Sequence, residues 1–138
     1  MRTLLLLLSC LIFVGPATAT AADPLAGTQW TLVDLPGRNL AQVPRQKHPT
    51  MRFDGARFRG RGVCNALTAT YTMPEPGLIR FSRVGGNMMP CREGQQLEAF
   101  FIQQIEGVVR YAVEGDTLVL TTRTGRNLRF ARQAEAAD

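Results

Sequence analysis

Apolar and polar residues alternate with a period of two along most of the chain, in short runs broken by Gly, Pro and Asn. That is the pattern of half-buried β-strands. Residues 30–33 open the series with Trp30 and Leu32 on one face. Residues 50–53 and 57–60 flank Asp54 and Gly55 and predict a hairpin that offers Met51, Phe53 and Phe58 to the core. The same alternation puts Arg57, Arg59 and Arg61 together on the opposite face, which suits an edge strand guarded against aggregation. Residues 68–72 and 78–81 bracket a Pro-Glu-Pro-Gly turn, and residues 109–113, 117–122 and 128–131 close the chain, for roughly eight strands in all. The stretch 38–49, with two prolines, Lys47 and His48, reads as an exposed loop.

One segment breaks the alternation. Across residues 92–106, Leu97, Phe100, Phe101 and Ile105 recur at offsets of three and four, while Gln95, Gln96, Glu98, Gln103 and Gln104 fall mostly on the polar side, so an amphipathic helix is expected with Gly107 as its stop. Short antiparallel strands with one such helix predict an α+β fold, mostly antiparallel β: a small curled or cracked β-barrel with one packed amphipathic helix. The polar, Ala-rich tail 133–138 is expected to fray.

The first residues follow a different logic. Arg2 is followed by a nearly unbroken apolar run from Leu4 to Val14 and then by small residues up to Ala22, the layout of a secretory signal peptide. The run is shorter than the roughly 20 apolar residues a membrane-spanning helix needs. We place cleavage after Ala21, giving a leader over 1–21 and one domain over 22–132, in a periplasmic or secreted protein. Leu7-Leu8-Ser9-Cys10 resembles a lipid-attachment box, the alternative. The apolar run continues past Cys10, which favours cleavage.

Cleavage removes Cys10 and leaves Cys64 and Cys91, and an even cysteine count in an exported chain points to a disulfide between them; two buried free thiols are the other reading. Their separation is unlike a Cys-x-x-Cys redox or zinc motif. Beyond the leader the chain holds one serine, Ser82, and one histidine, His48, neither in a recognisable nucleophile motif, so a serine-hydrolase triad would have to use both, and replacing either is expected to be harmless. A single His cannot build a His-rich metal site. Glu93 and Glu98 are expected to be solvated near the helix start. No enzyme activity, cofactor or metal is expected. The net charge of +5 is almost entirely arginine, with Arg52, Arg57, Arg59 and Arg61 in one cluster and Arg123, Arg126, Arg129 and Arg132 in another. Export argues against nucleic acid and leaves an anionic envelope surface or an acidic protein as the partner, against a plain solvated face.

Two segments, Gly60 to Tyr71 and Asn87 to Cys91, together resemble the META domain family, to which the bacterial heat-shock protein HslJ belongs. The motif positions carried over are Gly62, Cys64, Asn65, Tyr71, Met89 and Cys91. Residues 25–32 look like the family's first strand and residues 115–120 like its late hairpin. Val63 directly after Gly62, Ala69 in place of a common Gly, and Pro90 before Cys91 depart from the family pattern. The resemblance implies a small curled β structure with a packed helix, an association with stress response and secretion, and no established reaction. From the residues alone Asn65 is expected to stabilise a turn, and Met88 and Met89 to fill gaps in the core. The leading expectation is a monomeric, non-enzymatic envelope protein acting through protein or envelope contacts. The alternative is a pilotin-like carrier holding a lipid or apolar peptide in a cavity lined by Trp30, Phe53, Tyr71, Met89 and Phe101.

Overall fold

The computed structural model describes residues 12–17 and 22–134. The leader with its cleavage point, Cys10, and residues 135–138 of the tail lie outside the described residues. Nine strands form: β1 (Gln29–Asp34), β2 (Thr50–Phe53), β3 (Arg57–Arg61), β4 (Ala66–Thr72), β5 (Arg80–Phe81), β6 (Gly85–Gly86), β7 (Val108–Glu114), β8 (Thr117–Thr122) and β9 (Asn127–Arg132). Among the described residues a single α-helix, α1 (Gln95–Glu106), lies between β6 and β7. The strands run antiparallel in the order β5-β4-β3-β2-β1-β9-β8-β7, with β6 paired to β4. The outer members meet where the Ile79 amide donates to the Val109 carbonyl (3.3 Å) and the Tyr111 amide to the Gly77 carbonyl (3.0 Å). The sheet is therefore a nearly closed antiparallel barrel with one helix.

Period-two alternation fills it. Trp30, Leu32, Met51, Phe53, Phe58, Leu118, Leu120, Leu128 and Phe130 all point inward and are fully buried or nearly so, each contributing roughly 1.5–3 kcal/mol by leaving water. Phe101 and Ile105 of α1 join the same cluster, and Phe101 meets Phe130 with ring centroids 6.4 Å apart.

Four expectations are corrected. Strand β3 lies between β2 and β4, so its arginine row does not guard an edge. The stretch 38–49 is not a free loop: it winds through two 3-10 turns, Leu40–Gln42 and Arg45–Lys47, and buries Leu40 and His48. The His48 ring reaches two backbone carbonyls, Nδ1 lying 3.0 Å from Leu32 O and Nε2 2.9 Å from Val43 O, which ties this segment to β1. The helix starts at Gln95 because Gly94 adopts a left-handed backbone (φ +87°) that ends backward propagation. The tail is held one residue further than expected, the Gln133 amide donating to the Gln29 carbonyl (2.8 Å).

Candidate functional site

The turn after β3 and the loop before α1 come together at one end of the barrel. Gly62 to Asn65 turns tightly, with the Gly62 amide donating to the Asn65 carbonyl (2.8 Å), and points two backbone amides at the helix. Glu98 of α1 receives both: its Oε2 accepts from the Cys64 amide (2.7 Å) and the Asn65 amide (2.9 Å), and its Oε1 accepts from Asn65 Nδ2 (2.6 Å). Glu98 is only 4% exposed. A buried carboxyl with three N–H donors is a satisfied structural anchor. The expectation that Glu98 is solvated is overturned, and so is the polar-side placement of Gln104, which is buried and accepts from Arg126 Nη1 (3.3 Å).

Asn65 passes this anchoring on. Its Nδ2 also donates to the Met89 carbonyl (3.1 Å), and its Oδ1 accepts from the Met89 amide (2.8 Å), so one side-chain amide pairs with both backbone groups of Met89. It bridges two loops rather than capping its own turn. The disulfide joins Cys64 to Cys91, Cα atoms 6.3 Å apart, across the same junction. Two glycines make the approach feasible: a Cβ on Gly62 would come within 2.8 Å of the Glu98 carboxyl carbon, and one on Gly94 within 3.1 Å of Val63 Cβ. Five of the six motif residues, Gly62, Cys64, Asn65, Met89 and Cys91, thus meet around Glu98.

Tyr71 does not join them. It lies six residues along β4 from Asn65, roughly 20 Å away. Its ring packs edge-on to Phe53 (5.2 Å) and its hydroxyl accepts from the Gly55 amide (2.7 Å) while donating to the Asp23 carboxylate. Burial, and then the bond to Asp23, push the Tyr71 phenol above its ordinary value.

The proposed cavity residues are not a cavity. Trp30, Phe53 and Phe101 are 0% exposed, which leaves no water-sized void beside them, and Tyr71 is buried with them. Met89 is 64% exposed and Met88 49%, so neither methionine fills the core. With its backbone paired to Asn65, Met89 turns its side chain outward. Met88 is held with φ at +43°, a left-handed conformation that a non-glycine residue avoids. On the far side of the junction an open cleft of about 920 Å³ is lined by Arg38, Lys47, Val63, Arg92 and Leu97.

Fold and junction together define a small antiparallel barrel covered by one helix and stapled at the helix end. A family model described as the META domain matches residues 23–135, and the chain belongs to the META domain family. No curated protein matches the chain. Among solved structures it is similar to a protein from Burkholderia xenovorans determined by NMR (22% identity, TM-score 0.67, covering 87% of this chain and 97% of that one). It is also similar to a DUF4847-family protein from Bacteroides vulgatus (13% identity, TM-score 0.60, covering 82% and 97%). At these identities the likeness concerns the fold.

Glu98 was missed because a glutamate near a helix start is ordinarily solvated. A signal was present: Glu98 falls three residues before Phe101 and seven before Ile105, on the apolar stripe itself.

Proposed function

We propose that this chain is an exported, non-enzymatic META domain that supports envelope stress tolerance through contacts made by its surface. The observation that carries this reading is how the motif spends its polar groups. Glu98 and Asn65 are fully engaged with backbone and with each other, whereas Met89, whose backbone Asn65 holds, and the adjoining Met88 face solvent. A site built for chemistry would keep a titratable group free to meet a substrate; this junction instead holds a shape. The Cys64–Cys91 bond supports an oxidising compartment outside the cytoplasm. The filled barrel leaves the exterior as the working surface.

A deletion strain under heat and oxidative challenge tests this, complemented by the full chain or by a version lacking residues 1–21. Rescue by the full chain alone is the expected result. Rescue by the leaderless version, or a deletion without phenotype, would overturn the reading.

A further inference from the structure

Four guanidinium groups crowd one outward face of the barrel. Arg52 and Arg59 stand opposite each other across the β2–β3 ladder, with Arg57 and Arg61 at alternate positions of β3, all exposed. Like charges placed opposite one another on a sheet oppose folding. The outward neighbours are Gln29 on β1, Thr50 on β2 and Ala66, Thr68 and Thr70 on β4, none charged. Asp54 sits at the turn end of the row; its Oδ1 accepts from the amides of Arg57 (2.8 Å) and Ala56 (3.1 Å), and these bonds, helped by the charges of Arg59 and Arg57, hold its carboxyl below the usual carboxylate range without a salt bridge to either. The salt bridge found among the described residues joins Arg132 to Asp116, away from this row. Among the described residues none of the four forms a salt bridge; Arg61 donates to the Gln46 carbonyl, and a single carboxylate, Asp54, lies near the other end of the row.

This row ends at the methionines. Arg61 faces Ala66 across the β3–β4 ladder, and the Ala66 amide donates to Asn87 Oδ1 (2.9 Å). Arg57 and Arg59 share a shallow depression of about 270 Å³ with Gly86 and Asn87. The next two residues are Met88 and Met89, the former in its left-handed conformation and both exposed. An exposed apolar pair thus stands at the border of a cationic row that holds no salt bridge.

We propose that the outer face of β2 and β3, with the Met88–Met89 loop at its border, docks onto bilayers rich in anionic phospholipid. This rests on the surface-contact reading above and names its partner. Arginines meet the headgroup phosphates and the two thioether side chains enter the apolar layer beneath, the combination of charge and apolar contact that interfacial binding uses. A purely acidic partner would satisfy the arginines and leave the adjoining methionines in water.

The test uses disulfide-closed protein recovered from the periplasm of an expression host, its mass first showing that the leader is gone. A retained leader counts against the export reading before any vesicle is added. The processed protein is then sedimented with vesicles of phosphatidylglycerol and phosphatidylethanolamine, with phosphatidylcholine vesicles, and with polyglutamate as a soluble competitor. Expected are binding to the anionic vesicles alone, weakened by salt, and a loss of about tenfold or more in the Arg52→Ser/Arg59→Ser double variant. Arg123→Ser/Arg129→Ser, which removes the same charge elsewhere, should change binding less than about threefold. Met88→Ser/Met89→Ser should weaken binding at high salt most. Equal loss in the two arginine variants, equal binding to neutral vesicles, or preference for polyglutamate over vesicles would overturn the assignment, the last in favour of an acidic protein.

Discussion

Met88 carries a conformational cost that its side chain does not recover in the core. A left-handed backbone costs a non-glycine residue roughly 1–2 kcal/mol, which glycine avoids at an entropic cost of roughly 0.5–1 kcal/mol. Met88→Gly is therefore expected to leave stability unchanged or raise it by up to about 1 kcal/mol in urea melts, and a clear loss would show that the side chain packs. Glu98→Gln has the opposite outcome. An amide in place of the carboxyl keeps one acceptor oxygen but sets its NH2 group against one or two of the three N–H donors, and the unfolding free energy should fall by about 1–3 kcal/mol. Tyr71 gives a pH signature. Its phenol ionises in the unfolded chain near its ordinary value of about 10, but folding raises that value, so the native state binds the proton more tightly. The resulting stability is fully present below pH of about 10 and is lost as pH rises through the higher native value. Alkaline denaturation curves of wild type and Tyr71→Phe should diverge there, the variant losing the steeper fall. His48, whose ring meets two backbone carbonyls, is a structural residue, and His48→Ala should destabilise rather than be silent.

Between elements, the junction of the β3–β4 turn, the Met88–Met89 loop and α1 depends on a covalent link and on the Glu98 bracket. The disulfide closes a separation of 27 residues, worth about 3–4 kcal/mol in the chain-entropy account. Cys91→Ser should lower the melting temperature by the same amount as reductant lowers that of the wild type, and unchanged melting in both would show that the bridge contributes nothing. The elements were legible where side chains alternate: Trp30 with Leu32, Met51 with Phe53, and Leu128 with Phe130 declare their strands. The start of α1 was not, since Gly94 sets it through a backbone angle that residue type alone leaves open. Nor was the burial of His48, because its partners are carbonyls of a distant strand and a neighbouring turn, with no signature in the side-chain pattern. The motif residues were visible as a set, but their shared centre, Glu98, lies outside the two motif segments.

Over the whole molecule, the charge balance is repulsive. The net charge is +5, and arginines face one another across β2 and β3. Moderate salt screens such repulsion more than it weakens one exposed ion pair, so the melting temperature should rise as ionic strength goes from roughly 0.01 to 0.15 M. A fall would mean that attractive pairs dominate. The sheet order has a further consequence. β1, which opens the fold, is flanked by β2 on one side and by the last strand, β9, on the other, with Thr31 paired to Ala131. Half of the first strand's ladder must therefore wait until the end of the chain has been synthesised, and loop closure over such a span makes folding slow. A barrel sealed by its own final strand stays threadable during synthesis, the state that a translocation channel can accept.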